Sequence, residues 1–274
     1  MNALMRRQIL AIMRLEVRKS LWGRRAWWIY LLALAPVLLT CGHWLHEASR
    51  ARSNDTIAEE MTVFAGIFQF FYLRLGIFWG CVGIFSNLIR GEVLEKTLHY
   101  YLLAPVRREV VIAGKFASGL IAAIVFFGLS VGTAYLTIGA HLGQECWEFM
   151  FKGRGLDHLA QYLLVTTLAA IGYGSVFLVI GLKYRNPIIP AAIVMVWEGI
   201  SGFLPSMLQK ISVSFYLKTL CPVDVPVQGP ISLLAVTADP VPPSSAVIGL
   251  LIVAAMLLCV AAMRARKLEV SYVD

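Results

Sequence analysis

Two charged side chains of this 274-residue chain stand where charge is expensive. Arg74 and Glu198 are the only ionisable residues clearly inside its long apolar runs. On insertion scales each costs roughly 2.5–3.5 kcal/mol at the centre of a membrane helix, so neither is expected to face lipid. Two roles are open to them. They can pair across the core, or line a polar path through it. Phe70, Phe71 and Phe78 lie three or four residues from Arg74 and offer cation–π faces. Ser201 and Gly202 follow Glu198 at helical spacing and give it a small-residue face suited to close helix approach.

Other chemistry-bearing patterns are sparse. His43 and His46 are three apart and could share a metal, but no third ligand is evident, and they read as solvated loop histidines. Gly114-Lys115 lacks the upstream glycine of a phosphate loop. The zinc-protease, dithiol and nucleophile-elbow signatures are missing from the sequence. The expectation is a protein with no catalytic, cofactor or metal site of its own. Cys81 and Cys259 fall in apolar runs. Cys41, Cys146 and Cys221 fall on one polar side, where a disulfide is permitted but not indicated.

The elements that must position these residues are membrane helices. Hydrophobic residues make up 59% of the chain and charged residues 15%, against about a quarter charged in soluble domains. Apolar runs cover Trp27–Leu45, Thr62–Ile89, Val110–Gly139, Leu159–Leu182, Ile188–Phe203 and Ala246–Met263. About 20 helical residues cross a hydrocarbon layer of about 30 Å. Four runs clearly qualify. The first contains Pro36, and the fifth is short and followed by Pro205. The runs are apolar on every face, which favours helices over alternating barrel strands. The long Arg-rich stretch before the first run argues against a cleaved signal peptide. The predicted fold is all-α and polytopic, with about six transmembrane helices in one domain spanning residues 1–274.

Between these runs the pattern changes. Residues 1–26 carry a helix over Leu4–Arg25 with Arg7, Arg14, Arg18 and Arg25 along one line and Met5, Ile9, Ile12 and Met13 roughly opposite. That is an interfacial helix facing anionic headgroups. Glu16 falls on its apolar side. His46–Met61 reads as a polar loop. Residues 90–109 join the second and third runs, and Glu92 and Lys96 stand acid-first at i,i+4. A short helix is expected over Glu92–Leu103, stopped by Pro105. Residues 205–245 form a segment on the opposite side, whose stretch Pro222–Pro243 holds six of the 11 prolines. Gly76-x-x-x-Gly80 and Gly128-x-x-x-Gly132 would permit close helix contact.

Basic residues set orientation. Seventeen of the 24 lie on the side shared by the N-terminal arm, residues 90–115, the turn at Lys183–Arg185 and the C-terminal tail. Six lie opposite. Both termini are therefore expected in the cytoplasm. The excess of Lys and Arg reflects this asymmetry, not nucleic-acid binding, because no soluble basic element exists.

The layout resembles the permease subunits of ATP-binding-cassette exporters of the second type. The similarity rests on EVRKSLWGRRAWW (Glu16–Trp28), on Pro36, on RGEVLEKTLHYYLLAPVRREVVIAGK (Arg90–Lys115) and on FLPSMLQKISVSFYLKTLCP (Phe203–Pro222). Lys96 departs from the small residue many members carry there. The resemblance implies a cytoplasmic coupling helix whose Glu92, Glu95, Lys96, Leu98, Tyr101 and Pro105 meet an ATPase. It also implies a separate ATP-binding subunit that holds ATP and Mg2+, with no cofactor in this chain, and a second permease subunit, identical or different. The setting implied is a plasma membrane, bacterial inner membrane above all, with membrane lipid as the surrounding partner. Arg74 and Glu198 would then line the pathway or pair. A self-contained secondary transporter or channel is the alternative, and a membrane-embedded enzyme is a weaker third.

Overall fold

A computed structural model of the chain describes residues 3–23, 27–49, 56–94, 106–223, 225 and 242–266. Among them there is no strand. The elements are α1 (Ala3–Trp22), α2 (Trp27–Ser49), α3 (Ile57–Ile67), a π-helical stretch (Phe68–Gly76), α4 (Ile77–Leu94), α5 (Arg108–Ile138) and a 3-10 turn (Ala140–Leu142). Then come α6 (Gln144–Phe151), α7 (Gly155–Lys183), α8 (Ile188–Ile200), a second 3-10 turn (Ser201–Phe203), α9 (Ser206–Gln209), α10 (Val213–Thr219) and α11 (Pro243–Arg266).

Five helical rods are long and apolar enough to cross a membrane: Trp27–Ser49, Ile57–Glu92, Arg108–Leu142, Gly155–Lys183 and Pro243–Arg266. The chain is an all-α polytopic membrane protein. The fifth predicted run differs. Its helix spans only Ile188–Ile200, about 20 Å at 1.5 Å per residue, and is too short to cross alone. The second rod starts five residues before the apolar run, because Thr56 and Glu59 form a reciprocal capping box. Residues expected in a polar loop thus belong to helices: α2 runs on to Ser49 and α3 begins at Ile57.

Helix α5 is the hub, packed against α1, α2, α4, α7 and α11, and α4 lies along α7. Pro36 stands inside α2, where it removes one ladder hydrogen bond. Nearby, Ser130 of α5 donates to the Ala33 carbonyl and lies 2.7 Å from the Tyr72 hydroxyl of the π-helical stretch. One buried serine therefore links the two irregular parts of α2 and the second rod. A π turn carries an extra residue and re-aims the side chains around it. Here it turns Phe68, Tyr72 and Leu73 inward, where Phe68 and Tyr162 rings sit 4.6 Å apart.

Of the two glycine pairs, only one marks a tight contact. A Cβ on Gly80 would lie 2.2 Å from the Phe127 ring, whereas one on Gly132 would meet nothing within 4 Å. Gly80→Ala is expected to cost about 1–3 kcal/mol by overpacking. Gly132→Ala should be neutral or mildly stabilising. Thermal unfolding of the two purified variants in one detergent checks the contrast.

Candidate functional site

A buried charge node gathers at one end of the bundle. The Lys115 ammonium of α5 lies 2.7 Å from Glu16 Oε1 of α1 and 2.7 Å from Glu92 Oε1 of α4. It also donates to the Leu88 carbonyl at 2.8 Å. An ammonium has three protons, and these three acceptors match them. The Lys115 side chain is 1% exposed and both carboxylates are 3% exposed. Charges so withdrawn from water are tolerated only when paired and hydrogen-bonded.

Local sequence explains how the node forms. Ile12 and Glu16 stand one helical turn apart on α1, and both are buried. A Cβ on Gly114 would lie 3.0 Å from Ile12, so glycine there lets α1 come close enough for Glu16 to reach Lys115. The apparent flaw in the amphipathic pattern of α1 is the residue that docks it. Beside the node, Arg108 donates to the Arg266 carbonyl at 2.9 Å, and Arg266 pairs with Glu109. A cation is thus placed on the last carbonyls of α11, where the helix dipole favours it. The ends of α1, α4 and α11 and the start of α5 all meet here.

Glu92 was expected to open a separate coupling helix. Instead it lies in the last turn of α4, which continues without a break to Leu94. Glu95, Lys96, Leu98, Tyr101 and Pro105 lie outside the described residues. Lys115, counted in the sequence among the basic residues of 90–115, is a node residue that sequence reasoning missed.

A second site lies within the bundle. The Glu198 carboxylate accepts from the Ser212 hydroxyl at 2.6 Å and from the backbone N–H groups of Val213 and Ser214, each at 2.9 Å. It caps α10 from another helix. Val213 packs against Gly172, near the middle of α7. So the start of α10, in the segment expected on the outer side, lies against the middle of α7. Backbone that breaks helix at that depth must find partners in protein. Gln209 donates to the Leu204 carbonyl and Tyr216 to the Lys210 carbonyl, both at 2.8 Å. Arg74 and Glu198 both act on Lys218 of α10, so the two intramembrane charges share one neighbourhood. A direct ion pair with Arg74 is not among the contacts of Glu198. Phe78, offered as a cation–π partner, packs edge-on against Tyr173 and Phe177 instead.

At the opposite end of the rods, His43 is not a solvated loop residue. Its Nε2 lies 3.0 and 3.1 Å from the two oxygens of buried Glu60. His46 is 61% exposed on its side chain. Among the described residues, no group of three His, Cys, Asp or Glu side chains stands ready to hold a metal ion.

A polytopic helical bundle, charge-tied at one end and carrying a broken helix within, is the frame of a membrane permease. The sequence matches the family described as ABC-2 family transporter protein over residues 13–200. The chain belongs to that family, and is the membrane permease component of an ABC transporter. Comparison with curated proteins gives no match. Family membership places the chain among transport components rather than self-contained secondary transporters.

Proposed function

We propose that this chain is one half of the membrane pore of an ATP-driven exporter, and that its charge node is the joint through which an ATPase subunit drives it. The observation that carries this reading is the double pairing of Lys115 with Glu16 and Glu92. In sequence, residues 95–105 connect the end of α4, just after Glu92, to the start of α5 at Arg108. A push on that connection is delivered to α4 and α5 together, and through Glu16 to α1. Three helices clamped at one point respond as a unit, which is what rigid-body gating requires.

In this reading the ATPase meets Glu95, Lys96, Leu98, Tyr101 and Pro105, while Glu92 holds the connection from inside. ATP and Mg2+ belong to the partner subunit. A second permease subunit completes the pore, in a plasma membrane of bacterial inner-membrane type. Both termini face the cytoplasm, on the charge bias of the sequence and on the clasp of Arg266 with Glu109 at the node end. Arg74 and the Glu198-capped α10 border the pathway, because a broken helix at mid-depth is where transporters place moving parts.

The test is purification of the tagged chain from its native host in mild detergent. A soluble ATPase is expected in stoichiometric amount, and Glu95→Lys is expected to lose it while leaving the permease folded. Glu92 is unsuitable for that reversal, since Lys at 92 would face Lys115. A clean permease with no ATPase, even after mild crosslinking, would sink the reading.

A further inference from the structure

At the end of the rods opposite the charge node, three side chains from three elements converge: His43 near the end of α2, Glu60 at the start of α3, and His141 in the turn after α5. Glu60 is 3% exposed on its side chain and His141 also 3%. His43 Nε2 bonds Glu60 at 3.0 Å, and His141 Nε2 stands 3.7 Å from Glu60 Oε1. The two imidazoles meet edge to face, with centroids 6.3 Å apart. Both ring nitrogens of His141 are buried and neither has a hydrogen-bond partner. A neutral imidazole always carries one N–H donor and one acceptor, so at His141 both are left unmet beside a carboxylate.

We propose that His43, Glu60 and His141 form a proton-operated clamp. A proton taken from bulk water by His141 creates an imidazolium beside Glu60. The 3.7 Å approach then closes to a charge-assisted hydrogen bond. With His43 already on the other side of the carboxylate, this locks α2, α3 and the Ala140–Leu142 turn together. Loss of the proton leaves His141 unbonded and this end of the bundle looser. Histidine is the side chain whose charge ordinarily changes between pH 5 and 8.

The other titratable groups on the surrounding elements do not supply this switch. On α2, His46 faces largely outward, 4.0 Å from Glu47. On α3, Glu59 is committed to the Thr56 cap. On α5, Tyr135 donates to the Gly155 carbonyl. On α6, Glu145 accepts from the Ile57 N–H, and Glu148 pairs with Lys152. Burial and then Glu145 push the Cys146 thiol above its usual range, so it stays neutral. At the start of α7, Arg154 and Asp157 flank His158, whose ring packs on Phe149. A metal ion is the obvious rival, but the three groups are not placed to hold one.

The sign follows from linkage. If the folded clamp binds one more proton than the unfolded chain, stability falls as pH rises. The full chain in detergent is melted at a series of pH values from 5.5 to 8. The wild-type midpoint is expected to fall by a few degrees on going up. His141→Gln and Glu60→Gln should flatten that slope, and His46→Gln should keep it. A His141→Gln slope equal to wild type overturns the clamp. So does a midpoint that moves on adding zinc sulfate or EDTA at fixed pH, which would assign the cluster to metal. Should the variants fold poorly, nitrogen NMR of the five histidines in the wild type decides. A slowly exchanging imidazolium N–H present at pH 5.5 and gone at pH 8 supports the clamp, and five freely solvated imidazoles refute it. None of these readouts depends on transport or on an ATPase.

Discussion

Lys115→Met is expected to cost roughly 3–5 kcal/mol, the range seen when one partner of a buried ion pair is removed. The side chain is almost fully enclosed and all three ammonium protons are used, on Glu16, Glu92 and the Leu88 carbonyl. Without the cation, two carboxylates remain side by side out of water. Each then loses its charge-assisted bond and repels the other. The more informative variant is the triple replacement Glu16→Gln, Glu92→Gln, Lys115→Met. Buried ion clusters exchanged for neutral groups of similar volume are often close to neutral in stability. The triple variant should therefore recover most of the loss in detergent melting midpoint and in membrane yield. If the node is also the joint for ATP-driven motion, the triple variant recovers folding without recovering substrate-stimulated ATP hydrolysis by the assembled complex. Equal destabilisation in the single and triple variants would show that shape, not charge pairing, holds α1 against α4 and α5.

How much of this was legible depends on which residues must find each other. The rods were legible, because a helix in lipid is apolar along its whole length and hydropathy reads that directly. Their ends were less so. Hydropathy placed the start of the second rod at Thr62, but the Thr56–Glu59 capping box starts the helix earlier. That shift left Glu60 in an apparent loop and hid the partner of His43, 17 residues away on another helix. Length counting also saw the fifth span at Ile188–Phe203 without seeing that the chain turns back after Pro205 and buries Val213 beside Gly172. Glu16 carried a visible signal, a lone acid in phase with Ile12 on an apolar face. Its partner did not. A lysine near the end of a span ordinarily snorkels to the interface, and nothing local distinguishes Lys115 from that habit. Gly114 beside it was the one hint, and glycine's role there depends on which helix approaches.

Arg74 and Glu198 show the converse, a plausible pairing that three-dimensional placement replaces. Opposite charges in two spans suggest a salt bridge, and a charge swap would be the natural test. Glu198, however, holds two backbone N–H groups and a hydroxyl at the start of α10. An arginine at 198 has no acceptor to offer them. The double swap of Arg74 and Glu198 is therefore expected to give no rescue. Glu198→Ala should be severe in its own right. It strands two buried donors at about 1–3 kcal/mol each, for a loss of roughly 2–6 kcal/mol. It also removes the negative charge that the N-terminus of α10 favours. Glu198→Gln keeps one carbonyl acceptor and should fall between. The loss is local before it is global, because α10 is a short helix tied down by this carboxylate and by the contacts of Val213 and Leu217. Hydrogen exchange should show residues 206–219 opening in Glu198→Ala while α4, α5 and α7 stay protected. Arg74→Gln is expected to leave that segment closed. Opening of 206–219 to the same extent in Arg74→Gln, or restored protection in the double swap, would return Arg74 to the role of Glu198's direct partner. Protection unchanged in Glu198→Ala would mean that packing of Val213 on Gly172 alone keeps the chain folded back into the bundle.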